Sequence, residues 1–395
     1  MKIATSSWLF MGVLSLLMAF TSLSTDIYLP AMPAMSHELH GNVEYTITGY
    51  LLGFAIAQVF WGPFSDKYGR RLPLALGMIL FVIGSAGCAW STDMNQIVFW
   101  RVIQAFGGCV APMLSRAMVR DLFGRTKAAE MLSTLAIIMA IAPIGGPIMG
   151  GYMVNLWDWQ SIFWFLTGVG IFMFLALYFV PETLGPDKRS QRSLLETFKN
   201  YKVLVKNGQY MKYTLCITFY YMSLYVFLTA SPQVYIDYFH INPAHFGYLF
   251  GLNIIGVVIM SAFNRRLVRV FPLEKMVQIA TAFSTCAIIA TFILLLLGYE
   301  WISIVVVGVF FFFTCNGLIA ANTNAIALDR AGSMAGSGAA LLGSLQYGSG
   351  IVSSIVLALS GGRTPLIMVG LMVLFTVISM AFVVKVKTHY HHEEA

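Results

Sequence analysis

The chain has 395 residues, of which 58% are hydrophobic and 10% charged, with a net charge of +7. Soluble globular domains carry about 25% charged residues, so this composition excludes a water-soluble fold and calls for a bilayer. The five cysteines (Cys88, Cys109, Cys216, Cys286, Cys315) lie in apolar runs without C-x-x-C spacing. They read as small buried apolar residues, not as metal ligands or a disulfide framework.

Twelve apolar runs follow one another at residues 8–35, 44–64, 72–91, 95–118, 129–153, 160–180, 211–236, 245–268, 274–297, 301–325, 335–359 and 364–384. Each reaches the ~18 residues a helix needs to cross ~30 Å of hydrocarbon. They are too long for the ~10-residue alternating strands of a membrane barrel, so an all-α integral membrane fold is expected. The first run exceeds a signal-peptide core and follows one charge, Lys2, so it is expected to stay as a span.

The longest polar stretch, 182–212, follows run six. It opens with Pro181, Gly185 and Pro186 and holds a candidate amphipathic segment from Leu194 to Val205. Six runs precede it and six follow. The expected layout is an N-terminal six-helix bundle (1–181), a cytoplasmic linker (182–210), a C-terminal six-helix bundle (211–387) and a disordered tail (388–395). His391 and His392 are read as solvated tail residues. Such symmetry is typical of transporters whose substrate site lies at midplane between the halves.

The positive charge is not a nucleic-acid signal, because it alternates between loops. Lys67, Arg70, Arg71, Arg120, Arg125, Lys127, the linker cations, Arg265, Arg266, Arg269, Lys275 and Arg330 fall on one side, with Arg363 alone on the other. This bias places both termini in the cytoplasm.

Two charges lie deep inside the apolar runs of the N-terminal half, away from the run ends. Asp26 lies in run one and Arg101 in run four. An ionisable group at bilayer depth costs several kcal/mol unless paired, hydrated or neutralised. One acid and one base there outline a proton-coupled transporter. Two readings of Arg101 stand: it tunes Asp26, or it donates to backbone carbonyls of run one. Asp26 is either the proton carrier or a helix-end acid, since Pro30 and Pro33 lie just beyond it. The C-terminal runs hold no such acid and offer neutral groups instead: Asn253, Asn316, Asn322, Asn324 and Gln346. Buried amides need hydrogen-bond partners, which a neighbouring helix or a substrate with carbonyls and hydroxyls would supply.

The loop after run two reads Gly62-Pro-Phe-Ser-Asp66-Lys-Tyr-Gly69-Arg70-Arg71. Gly62 is expected to let helix ends approach and Gly69 to support a tight turn. Asp66 is placed to bond Arg70 or to face a helix N-terminus. This loop resembles the G-x-x-x-D-x-x-G-R-[RK] signature of the major facilitator superfamily. Three further segments match in order. Arg101-Val-Ile-Gln104-Ala-Phe-Gly107 resembles the fourth-span R-x-x-Q-x-x-G motif. Pro143-Ile-Gly-Gly146-Pro147-Ile-Met-Gly150-Gly151 resembles the fifth-span motif of antiporters. Asp26-Ile-Tyr28-Leu-Pro30-Ala-Met-Pro33 is similar to the first-span motif of 12-span drug:proton antiporters. Ser231-Pro232-Gln-Val-Tyr-Ile, the segment from Phe246 to Asn253, and Asn322-Thr-Asn324-Ala are similar to the Bcr/CflA, bicyclomycin-resistance-like subfamily. The second-half echo of the loop, Asn264-Arg265-Arg266, lacks the acid and the glycines.

The resemblance implies a proton-coupled antiporter that exports small drugs or related molecules across the bacterial inner membrane by alternating access. Asp26 and Arg101 would couple the proton. Gly62, Asp66, Gly69, Arg70, Arg71, Pro143, Gly146, Pro147, Gly150 and Gly151 would gate the conformational change. Tyr28, Phe54, Gln104, Tyr221, Tyr225, Asn253, Asn316, Asn324 and Gln346 are candidates for the substrate cavity. The same fold serves dedicated metabolite exporters and symporters, and fold does not decide cargo. A non-transporting sensor would need a docking surface on the linker. Expected partners are protons, a small-molecule substrate and lipid, with the chain acting as a monomer. No cofactor or metal is expected, the proton gradient supplying the energy. The chain carries no G-x-x-x-x-G-K-[ST] phosphate loop and no hydrolase constellation, so it is not expected to be an enzyme.

Overall fold

The computed structural model describes residues 8–122, 125–189, 201–361 and 364–384. Among them every regular element is helical. The helices are α1 (Trp8–Asp26), α2 (Met32–Leu39), α3 (Glu44–Tyr68), α4 (Arg71–Ala89), α5 (Met94–Gly108), α6 (Val110–Leu122), α7 (Arg125–Leu156), α8 (Gln160–Ala176), α9 (Gly208–Pro232), α10 (Pro243–Leu267), α11 (Leu273–Leu296), α12 (Ile302–Ala331), α13 (Ala335–Leu359) and α14 (Pro365–Val383). Eleven helical stretches among the described residues are long and apolar enough to cross a membrane. The 32-residue α7 completes the set of twelve. The candidate segment 194–205 is described only from residue 201, and the tail lies outside the described residues.

Helix breaks depart from the simple hydropathy reading. Run one is not one helix: α1 ends at Asp26, a 3-10 turn covers Leu29–Ala31, and α2 restarts at Met32. Pro30 and Pro33 occupy the first turns of the two new helical pieces, where a missing N–H costs nothing. Run four steps at Cys109 between α5 and α6. After Pro232, run seven continues as a π-helical turn over Gln233–Tyr238, a geometry that often marks functional sites. Asp93, Asn207 and Thr364 cap α5, α9 and α14 through side-chain oxygens.

Glycines set the closest helix contacts. A Cβ on Gly49 of α3 would lie 2.9 Å from the Val98 carbonyl of α5, and one on Gly77 of α4 equally close to the Gly107 carbonyl. Hydrocarbon offers little hydrophobic drive between helices, so such close approach supplies the packing. Trp90, Trp157, Tyr178 and Trp301 are exposed near helix ends, the usual position of interfacial aromatics. Four cysteines are buried as expected, whereas Cys286 is exposed on α11.

The chain divides into two compact units. The first comprises Met1–Leu194 with His240–Phe250, and the second Leu195–Phe239 with Gly251–Ala395. Hydropathy does not show that the first turns of α10 group with the first unit. In the second unit, hydroxyls tie helices together. Tyr220 donates to the Phe312 carbonyl at 2.6 Å, Ser353 to Met222 at 2.9 Å and Ser379 to Cys216 at 2.6 Å.

Candidate functional site

Arg101 is the centre of the first unit's polar interior. Gln104 lies three positions further along α5, so both side chains share one face of the helix. The Arg101 side chain is fully buried. Its Nη1 donates to the Ser24 carbonyl at 3.2 Å and to Gln104 Oε1 at 2.6 Å. Gln104 in turn donates to Ser85 Oγ at 2.8 Å. Two aromatic faces sandwich the guanidinium: its carbon lies 4.1 Å from the Tyr28 ring centroid and 4.3 Å from that of Tyr50. Each ring is held at its hydroxyl, Tyr28 by Thr46 at 3.1 Å and Tyr50 by Ser24 at 2.6 Å. Desolvated cation–π contacts are worth ~2 kcal/mol or more each, so the rings meet much of the buried charge.

Asp26 is 7% exposed and is the last residue of α1. Ion pairs among the described residues include Arg70–Asp66, Arg70–Asp121 and Arg330–Glu274. Asp26 and Arg101 do not form an ion pair in this structure. The guanidinium reaches the carbonyl two residues earlier in the chain and is covered by tyrosine rings. Its Nε is buried without a partner. The backbone-donor reading of Arg101 is thus present in this structure.

Tyr28, Phe54 and Gln104 are expected cavity residues, yet each is at most 2% exposed. Tyr28 and Gln104 have their polar atoms committed within the unit. The Phe54 ring stands 6.3 Å from Tyr50. Sequence reading missed Tyr50, Ser24, Thr46 and Ser85, which belong to no motif and look like ordinary span residues.

The glycine motif of α7 meets the Asp26 turn directly. A Cβ on Gly146 would sit 3.3 Å from the Ile27 nitrogen and 3.6 Å from Asp26 Cβ, and one on Gly150 would overlap the Ile27 carbonyl. Within the same unit, Gly151 abuts the Pro243 carbonyl and the Tyr152 and Tyr248 hydroxyls are 2.9 Å apart. Pro143 and Pro147 both lie inside the one helix α7.

The loop between α3 and α4 forms a second polar cluster. Arg70 bonds Asp66 at 2.7 Å, Ser65 at 2.8 Å and Asp121 at 2.9 Å. Burial works against its charge, but the hydrogen bonds and charges of Asp121 and Asp66 outweigh it and raise its pKa. Glu182 accepts four backbone N–H groups: Arg70 at 2.8 Å, Arg71 at 3.2 Å, Thr183 at 3.0 Å and Leu184 at 3.1 Å. Two of these open α4, so the carboxylate caps that helix N-terminus. Arg71 also donates to the Leu177 carbonyl at 3.4 Å. The loop is therefore tied to the segment after span six.

Gly69 has φ +94°, and a Cβ there would lie 2.5 Å from Glu182 Oε2. Gly69→Ala should therefore strain the backbone and displace the carboxylate. A destabilisation of about 1–3 kcal/mol is expected, read as a lower Tm of the purified protein. An unchanged Tm would refute this account. Gly62, expected to bring helix ends together, faces open space, since a Cβ there meets nothing within 4 Å. Asp121 and Glu182 went unread in the sequence because each stands alone beyond the end of a span.

In the second unit, Tyr221 of α9 faces Asn316 of α12 and Tyr347 of α13, and its ring lies 6.3 Å from that of Tyr225. Asn316 Oδ1, Asn324 Oδ1 and Gln346 Nε2 are buried without hydrogen-bond partners. Asn324 lies eight residues beyond Asn316 on the same helix, about 12 Å along its axis. Asn253 is buried on α10. Asn322 is fully used: it exchanges amide hydrogen bonds with Asn264 at 2.9 and 3.2 Å. A neutral amide pair thus joins α10 to α12 at the loop echo that lacks the acid.

The Major Facilitator Superfamily model matches residues 14–354. A bicyclomycin resistance protein homolog from Haemophilus influenzae is 32% identical over 358 residues, 88% of this chain and 87% of that protein. Multidrug resistance protein D from Escherichia coli K12 is 25% identical over 354 residues, 87% of each chain. Among solved structures, a D-xylose-proton symporter superposes with a TM-score of 0.77 at 13% identity, covering 96% of this chain and 97% of that one. At that identity the likeness shows the fold alone.

Proposed function

Because the chain belongs to the Major Facilitator Superfamily, we propose that it is a proton-coupled antiporter that exports small drugs or related small molecules by alternating access. The observation that carries this reading is Asp26: a buried carboxylate at a helix end, without an ion-pair partner, beside a guanidinium held by other groups. A carboxylate in that setting can exchange a proton without dissolving a salt bridge. The fifth-span glycines pack on the same turn, so a change in charge at Asp26 acts where α7 touches α1. The resistance-protein relatives support drug-like cargo.

In this reading a proton from outside neutralises Asp26, the neutral form permits return to the inward-facing state, and substrate binding with proton release resets it. Arg101 tunes the site from its tyrosine sandwich, and the Asp66–Arg70–Asp121 cluster stabilises one conformation. The location is the bacterial inner membrane, with cytoplasmic termini and a monomeric chain. A membrane potential of about 100 mV supplies ~2.3 kcal/mol per charge moved, enough to drive uncharged cargo outward without a cofactor.

The test is proton movement in energised everted vesicles. Adding a transported substrate should raise the lumenal pH, because export into the lumen releases protons from it. Acidification on substrate addition would establish symport instead.

A further inference from the structure

The second unit presents hydrogen-bonding capacity without charge. Its spans at 213–236, 251–264, 276–299, 301–328, 335–361 and 364–384 contain no Asp, Glu, Lys or Arg. Inside them, Asn316 and Asn324 each hold a buried carbonyl oxygen with no donor, and Gln346 holds a buried amide nitrogen with no acceptor. Unpaired buried polar atoms are costly and uncommon in folded proteins. Asn322, on the same helix as Asn316, shows the alternative, because its amide is matched by Asn264. Neighbouring hydroxyls are likewise given to backbone carbonyls, as at Tyr220 and Ser353. Thr214, Ser231, Gln233 and Thr323 of this unit also hold buried oxygens without partners, but Asn316 and Gln346 are amides beside the tyrosines of α9 and α13. Tyr221 hydrogen-bonds the Asn316 side chain, leaving its Oδ1 open, and the Tyr221 ring lies 6.3 Å from that of Tyr225.

We propose that Asn316, beside Tyr221, and Gln346, next in sequence to the Tyr347 that Tyr221 also faces, bind an uncharged, hydrogen-bonding part of the cargo, so that the substrates are neutral molecules carrying hydroxyl or amide groups. The chemistry fixes the roles. Asn316 Oδ1 accepts from a hydroxyl or N–H of the cargo. Gln346 Nε2 donates to a carbonyl or hydroxyl oxygen. The tyrosine rings cover the apolar body. A cation or anion placed against these residues would be desolvated without a counter-charge from the second unit's spans, which is strongly unfavourable. Arg101, the buried cation of the first unit, is already enclosed by tyrosine rings and donates to Ser24 and Gln104.

This inference rests on the export reading, and the test separates the two. Purified wild-type protein in lipid nanodiscs is titrated with two probes. Chloramphenicol is neutral and bears hydroxyl and amide groups. Tetraphenylphosphonium is a cation with neither. Wild type should bind chloramphenicol at least tenfold more tightly. Asn316→Leu and Gln346→Leu should each weaken chloramphenicol at least tenfold and leave the cation within twofold, with melting temperatures confirming the fold of each variant. Preference for the cation, no measurable binding of the neutral probe, or unchanged chloramphenicol affinity in a folded variant would overturn the inference. If Asn316→Leu does not fold, Gln346→Leu and the wild-type preference decide. Binding in nanodiscs needs no proton gradient. Absence of proton-driven transport with the neutral preference intact would therefore sink the export reading while leaving this one standing.

Discussion

Asp26→Asn is expected to reduce energised accumulation of substrate in everted vesicles to equilibration, while the protein still inserts, folds and exchanges substrate down a gradient. The amide keeps the shape of the carboxyl and cannot change charge. One proton moved through about 100 mV releases ~2.3 kcal/mol, which corresponds to a gradient of roughly 50-fold in uncharged cargo. The variant should lose all of that gradient while counterflow of labelled substrate persists. Its stability should not fall, because replacing an unpaired buried acid removes a desolvation cost rather than breaking an ion pair. Accumulation at the wild-type level would remove Asp26 from the coupling step.

The architecture was readable because a bilayer imposes a length on every span and makes each charge inside it conspicuous. Asp26 and Arg101 stood out for that reason, and the loop from Gly62 to Arg71 for its dense spacing. Partnerships were not readable. Arg101 has several acceptable partners, and the choice of tyrosine faces over the nearby acid depends on where Tyr50, 51 residues away, is carried by α3. Glu182 reaches the N-terminus of α4 across more than a hundred residues. Gln104 and Asn322 were candidates for cargo contacts because they are polar and intramembrane, but Ser85 and Asn264 satisfy them. Only coordinates separate a satisfied amide from an open one, as at Asn322 and Asn316. Nor did composition distinguish Gly62, which faces open space, from Gly69, which a carboxylate requires.

The glycines of α7 offer a graded test of whether that helix and the Asp26 turn work as one device. Gly145→Ala should leave export unchanged and raise stability slightly. A Cβ there meets nothing within 4 Å, and alanine in a helix interior is favoured over glycine by up to ~1 kcal/mol. Gly150→Ala should be severe, because the added Cβ would overlap the Ile27 carbonyl. The obstacle is backbone, held by the Ile27 nitrogen's own bond to Leu23 at 3.1 Å, and cannot swing away like the tip of a side chain. Either α7 retreats or the turn after Asp26 shifts. Both change the surroundings of the carboxylate, so proton-driven efflux should fall more than tenfold even where the purified variant still melts cooperatively. Gly146→Ala should lie between the two, since its nearest contact is 3.3 Å from the Ile27 nitrogen. Efflux and substrate-induced proton release, measured on the same vesicles, should decline together across the series. Equal activity in Gly145→Ala and Gly150→Ala would mean that the close approach of α7 to Ile27 has no part in transport. A Gly150→Ala protein that still exports but leaks protons without substrate would assign the contact to sealing rather than to the proton-binding step.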